Sequence, residues 1–461
     1  MIKKRWLSIL ALALTAIGCC ALGGCKGSRE NVSEDHVETE GVLYEISADG
    51  TYAKVVGYEG IATQVSILDT YNDLPVIGIV SEAFSYKEHI TKVMIPDSVT
   101  SIGSSAFYNC SGLTSVLIGD GITRIGNNAF KNCISLTSIE LPKGITEIGE
   151  STFSNCTSLT SVEILDGVTT IGSSAFSSCS SLTSVVIGDS VTTIGAGAFQ
   201  GCSSLTTVDI PDSVTTIDYG AFSSCSSLTS VVIPDSVTTI GSYAFFWCRG
   251  LMSVEIGSGV ITIANQAFEG CYKLVEVVNK SSSITVKQGD HSNGHVGYYA
   301  LAVYNRGDVF ISKLSNDNGY IIHTDGDEKI LVGYTGTETV LVLPSYITQI
   351  YQGAFFGCSS LTSVVIGGGV SLIGEGAFGC CSSLISVVIG NGVTTIEDDA
   401  FCECDALTSV YYQSTASDWN NISIASSGND SLISATKYYY DESEKTIGWW
   451  HYDENGNVVH A

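Results

Sequence analysis

Basic residues are scarce in this chain of 461 residues: 20 Lys and Arg stand against 47 Asp and Glu, a formal charge of −27. Nucleic-acid binding needs clustered cations facing phosphates, so this balance argues against it. Charged residues of either sign make up only 15% of the chain, while 44% is apolar. That excludes a disordered chain, which combines low hydrophobicity with high charge density. Chemistry-bearing motifs are missing as well. There is no Gly-rich phosphate loop followed by Lys and no Gly-x-Ser-x-Gly elbow. Cys380-Cys381 and Cys402-Glu403-Cys404 lack the Cys-x-x-Cys spacing of zinc sites. His291 and His295 sit in a Gly-rich stretch without the Glu of a helical zinc motif. No catalytic residue, metal or cofactor is expected. Beyond the first two dozen residues no apolar run is long enough to span a membrane.

Those first residues read as an address. Lys3, Lys4 and Arg5 precede a stretch from Trp6 to Gly23 without charge, the pattern of a secretory signal. A membrane anchor is the alternative, and the end of the run decides. Leu22-Gly23-Gly24-Cys25 resembles the lipobox of bacterial lipoproteins, which implies cleavage after residue 24 and lipidation of Cys25. Such a chain is held at the outer face of a membrane by its acyl groups. Residues 25–41 are polar and cannot bury enough surface to fold, so they are expected as a flexible tether.

The dominant feature is a period of 23. Phe recurs at 84, 107, 130, 153, 176, 199, 222, 245 and 268, then at 355, 378 and 401. Cys follows three residues later in nearly every unit, from Cys110 to Cys271 and at Cys358, Cys381 and Cys404; Leu follows at six, from Leu113 to Leu407. Val or Ile stands at nine and fifteen and Ile at eighteen, as in Val185, Val191 and Ile194. One unit reads as a short strand, a turn carrying Asp, an extended return and a short helical or 3₁₀ corner. It cannot fold alone. About six buried apolar side chains supply roughly 10–15 kcal/mol. Ordering the backbone costs about 1–2 kcal/mol for every residue. Stacked units close each other's open faces and edges.

The segment from Ser180 to Cys202 resembles the BspA-like leucine-rich repeat family of bacterial surface proteins, and the resemblance covers about 42–412. It implies a leucine-rich-repeat solenoid of α/β type at the cell surface, a role in adhesion or protein binding, and no shared active site.

The break between Phe268 and Phe355 is 87 residues, not a multiple of 23. Tyr44, Asp49-Gly50, Gly57-Tyr58 and Gly60 recur as Tyr320, Asp325-Gly326, Gly333-Tyr334 and Gly336, which predicts two capping hairpins, each opening an array. The expected organisation is a first cap and array over 42–280, a linker over 281–317, a second cap and array over 318–412, and a C-terminal cap over 413–461. The last segment carries Trp419, Tyr438 to Tyr440, Trp449, Trp450 and Tyr452. If exposed, these rings would instead serve a glycan- or wall-binding protein.

Of 16 Cys, two leave with the signal and Cys25 is lipidated, so 13 remain and at least one is free. Eleven share one repeat slot, which predicts a ladder of buried thiols. Bridging adjacent coils needs Cβ atoms about 3.5–4.5 Å apart, closer than stacking in register allows. Cys380 and Cys402 lie off the ladder and are the best candidates for a disulfide. The outward column ten residues after Phe reads Leu117, Glu140, Glu163, Val186, Asp209, Val232, Glu255 and Val278. Its mixture of apolar residues and carboxylates fits a surface that binds proteins of host or neighbouring cells; strand propensity and solubility explain it equally well. The turn column Asp97, Asp120, Asp166, Asp189, Asp212 and Asp235 is first a turn signal and second a set of oxygen ligands for Ca²⁺.

Overall fold

A computed structural model describes residues 40–440, 449–452 and 458–460, the side chains only as far as residue 440. The signal segment, Cys25 and most of the tether fall outside these residues. The chain builds the solenoid that the period demands. Strands stack in parallel at offsets of 23, as Ser161–Ile164 on Ser184–Ile187 and Ser230–Ile233 on Ser253–Ile256. A second strip of short pairings runs beside this wall, from Glu147–Ile148 through Thr193–Ile194 to Thr262–Ile263. Alternation sets the faces: Val185 and Ile187 point inward and are buried, while Ser184 and Val186 point out.

The inward Phe rings form a continuous spine. From Phe84 to Phe268 successive rings lie 5.0–5.5 Å apart and within 11° of parallel. Phe355, Phe378 and Phe401 repeat the arrangement in the second array. Each spine is headed by a tyrosine of a capping hairpin. Tyr58 lies 5.8 Å from Phe84, and Tyr334 lies 5.8 Å from Phe355. The recurrence of Tyr58 as Tyr334 thus has a packing cause: each closes the open end of a ring stack.

Of the helical and 3₁₀ corners expected, the structure has the i to i+3 bonds of the tighter form, as from Cys202 N–H to the Phe199 carbonyl, without a continuous helix. The corner is a run of hydrogen-bonded turns, and its other N–H groups reach across to the next coil. Gly197, Phe199 and Gly201 donate to the carbonyls of Tyr219, Ala221 and Ser223, each at 2.8 Å. A helix would send those donors back along its own axis. The device that turns them outward is a left-handed residue two before and two after each Phe, such as Ser105 and Asn109 around Phe107, or Gly197 and Gly201 around Phe199. Ser, Asn and Gly prevail there because they tolerate positive φ better than bulky residues. Coil-to-coil bonding at the corner closes the third side of the solenoid. Threonines reinforce it elsewhere, as where Thr114 and Thr183 hydroxyls donate to the carbonyls of Thr91 and Thr160.

Both hairpins open their arrays. Val42–Ile46 pairs with Ala53–Tyr58, and Tyr320–Asp325 pairs with Glu328–Tyr334. The second is a three-stranded meander, because Leu314–Asp317 adds to its edge. The stretch 281–317 is therefore not only a linker. Ala302–Tyr304 continues the first wall beside Glu276–Asn279, and a 3₁₀ turn at Asn293–His295 replaces the Phe corner of that last coil. The C-terminal segment likewise keeps the solenoid path after its sequence leaves the repeat. Ser423–Ile424 stacks on Thr395–Ile396, and Thr436–Tyr440 on Ser409–Tyr412. Buried Asn429 stands where a further corner would be. Its side chain accepts from Phe401 N–H and donates to the carbonyls of Glu397 and Ala425.

The two arrays pack against each other. Met252 and Val275 of the first meet Ile321, Ile330 and Val332 of the second hairpin. Tyr351 donates from its hydroxyl to the Tyr299 carbonyl at 2.9 Å.

Candidate functional site

The outward wall column is open over most of the first array. Leu117, Val186 and Val232 are 55%, 59% and 40% exposed. Glu140, Glu163 and Asp209 between them are exposed as well. The parallel register holds neighbours side by side: Met94 against Leu117, Glu163 against Val186, Val232 against Glu255. Glu255 and Val278 are only half-buried members of the column. Lys280 pairs with Glu255, and Val278 lies beside Tyr304 of the added strand. The structure therefore brings the eight residues into one file but leaves its last two partly covered.

The file is not a single unbroken sheet. Residues 138–141 contribute one bridge, from Ser138 to Ser161, and residues 207–210 contribute no strand. Each of these coils has a carboxylate in the outward slot, Glu140 beside Glu163 and Asp209 between two valines. Carboxylates are poor strand formers, and like charges side by side disfavour pairing. A cleft opens at each gap. One of 660 Å³ is lined by Glu140, Pro142, Lys143 and Glu163; one of 230 Å³ is lined by Asp189, Asp209, Pro211 and Asp212.

In the second array the corresponding file starts open at Val342, 67% exposed, and closes toward its C-terminal end. Val388 and Tyr411 are buried in a small outer cluster with Val365, Tyr438 and Tyr440. Tyr411 and Tyr438 stack at 5.0 Å. Trp419, a candidate sugar platform from sequence, is buried against Tyr412 with centroids 5.4 Å apart. It belongs to the core and is not available for stacking on a ligand. The side chains of Trp449, Trp450 and Tyr452 lie outside the described residues.

The turn aspartates have structural work of their own. Asp97, Asp166 and Asp235 accept the backbone N–H of Asp120, Asp189 and Ser258 in the next coil at 2.8, 3.1 and 2.7 Å. Among the described residues no group of three His, Cys, Asp or Glu is placed to hold a metal ion.

All 13 described cysteines are free thiols. In ten of the eleven ladder positions the thiol donates to the Phe carbonyl of the preceding coil at 3.0–3.2 Å, as Cys202 does to Phe176. Cys358 opens the second array. Burial lifts the Cys110 and Cys248 thiols to about 12, and those between them are raised for the same reason. Such thiols are inert packing groups. Cys380 and Cys402 are half-buried; the Cys380 thiol donates to Glu403 at 3.1 Å, and burial with that carboxylate raises it to about 11.

Sequence reasoning missed the residues where the arrays meet. The column seven after Phe reads Thr at 91, 114, 137, 160, 183, 206 and 229, then turns to Met252 and Val275. The signal was present: an exposed Thr column becomes apolar where the second hairpin covers it.

The repeat family's model agrees with this architecture. The model of the BspA-type leucine-rich repeat region matches in six copies over residues 78–206, 169–293 and 334–436. No curated protein matches. Among solved structures, a leucine-rich repeat protein from Bacteroides ovatus is 25% identical, with 81% of this chain and 88% of that one covered and a TM-score of 0.46. A leucine-rich cell surface protein from Faecalibacterium prausnitzii is 25% identical over 84% of this chain and 97% of that one, with a TM-score of 0.35. A leucine-rich repeat protein from T. pallidum is 26% identical over 52% and 91%, also with a TM-score of 0.35. With well over half of its length matched by the family model, the chain belongs to the BspA-type leucine-rich repeat family.

Proposed function

We propose that this is a bacterial cell-surface protein, lipid-anchored through Cys25, that binds other proteins on the wall of its first array and carries out no catalysis. One observation carries the reading: Leu117, Val186 and Val232 stay exposed on a rigid face while carboxylates stand between them. Apolar anchors separated by charges are what a specific protein contact uses, and charge on the rim selects the partner. A chain of charge −27 favours a partner with a basic surface. The first array keeps three such anchors open in one file, whereas in the second Val388 and Tyr411 are buried among its own aromatics, which directs the proposal to the first. The lipobox-like Leu22 to Cys25 and the polar tether support display away from the membrane.

The test is capture by the mature ectodomain of proteins from host matrix or neighbouring cells, with wall polysaccharides as a parallel arm. Replacing Leu117, Val186 and Val232 together by Lys should abolish protein capture while the thermal transition is kept. Undiminished capture by the triple variant sinks the choice of face. Capture of polysaccharide alone returns the function to glycan binding.

A further inference from the structure

A cleft of 340 Å³ lies where the arrays meet, lined by Ser226, Arg249, Gly250, Tyr272 and Lys273 from the first and Gly353, Phe356, Gly357 and Cys380 from the second. Three of these residues break the repeat. The slot four after Phe is Ser in three successive units, at 180, 203 and 226, but then holds Arg249 and Tyr272. The next slot is Ser at 158, 181, 204 and 227, but holds Lys273 in the last unit. Two cations thus enter one cleft of a protein that has few.

Neither makes a salt bridge with the described residues there. The Arg249 guanidinium lies against the rings of Trp247 at 4.7 Å and Phe356 at 4.6 Å. Those ring contacts use none of its five N–H donors. Among the described residues no hydrogen-bond acceptor or carboxylate pairs with Arg249 or with the Lys273 ammonium. Burial depresses the Lys273 ammonium, as expected of a cation without a counter-ion. Glu269, Glu375 and Asp399 act on the neighbouring Tyr272 hydroxyl and disfavour a highly charged ligand.

We propose that this junction cleft binds one oxyanion head, a carboxylate or a phosphate, on a body the size of a single sugar ring. The guanidinium edge matches two oxygens of such a head, and Lys273 supplies a second charge. Tyr272 and Phe356 add aromatic surface to the lining, and the volume is that of a small-ligand site. Because both arrays line the cleft, a bound ligand favours their docked arrangement.

Titration calorimetry on the mature ectodomain with D-glucuronate, glucose 6-phosphate and neutral glucose tests this. Wild-type protein should bind at least one anion at least tenfold tighter than glucose, and the tighter arm identifies the head. Lys273→Met keeps the aliphatic stem and should weaken that anion at least tenfold, with small-angle scattering showing unchanged docking. Arg249→Met should do the same if docking survives. Anions that bind no better than glucose, or equal affinity in Lys273→Met, overturn the proposal. Neither result bears on protein capture by Leu117, Val186 and Val232, so this inference and the proposed function fail separately.

Discussion

Removing one ring from the spine is the most direct trial of the stacking argument. Phe199 is fully buried, with Phe176 and Phe222 each 5.4 Å away and nearly parallel. Phe199→Ala loses the transfer of the ring and leaves a cavity that stacked coils cannot fill, a cost of about 3–5 kcal/mol. Phe199→Leu restores most of the volume but neither ring contact. With each aromatic contact worth about 0.5–1.5 kcal/mol beyond its area, its cost is about 1–3 kcal/mol. The first value is a large fraction of the roughly 5–15 kcal/mol of an ordinary domain. Urea unfolding followed by circular dichroism reads both variants. The midpoint should fall in the order wild type, Leu, Ala. Coils interact only with their neighbours, so the Ala variant should also broaden the transition or lower its slope, as the halves on either side uncouple. A loss below about 1 kcal/mol for Phe199→Ala, with slope unchanged, would refute the continuous spine.

Three further outcomes follow from the same geometry. Under native conditions a small alkylating reagent should reach, among the 13 described cysteines, only Cys358, Cys380 and Cys402, and peptide mapping after labelling in urea should show all 13 modified; fast native labelling of Cys202 would contradict the buried ladder. His323 is buried at the array junction with both ring nitrogens unpartnered, facing Leu314 and Ile330 on the adjacent strands, with Lys313 and Asp325 the charged groups acting on it. Burial lowers its folded pKa, so the unfolded chain binds the extra proton first. Its stabilising effect is whole above about pH 6.5 and shrinks as pH falls toward the folded value. The melting temperature of His323→Leu should accordingly fall less than that of wild type between pH 7.5 and 5.5; parallel curves would remove His323 as the cause. Asn429→Ala deletes three hydrogen bonds at the end of the second array and strands buried partners. A loss of about 2–4 kcal/mol is expected in a urea melt, and no loss would show that water replaces the side chain there.

Much of the solenoid was legible because a repeat states the same physical requirement many times. One unit with Phe, Cys, Leu and two branched residues is ambiguous; the same spacing across adjoining units allows only a stack. The cap hairpins were legible for the same reason, since Tyr58 and Tyr334 recur with the Asp-Gly turns before them. The corner's exact form was not legible because spacings of one and three residues fit a helix as well as a run of 3₁₀-type turns. The decision lies in the left-handed residues at positions such as 105 and 109, whose identities are permissive and not diagnostic. The segments 281–304 and 413–440 lost the repeat in sequence and kept its path in space, because a neighbouring strand edge templates pairing without demanding a motif.

Local pattern alone determined the inward spine, the outward file and the inert thiols, because each depends on a residue meeting its own copy one coil away. The tertiary structure decided what depends on residues far apart: which part of the file stays open, that Trp419 is core, and that Met252, Val275 and Lys273 lie against a second array. Those outcomes rest on how one array seats upon the next. That seating is set by surfaces whose residues share no period, so no spacing in the chain announces it.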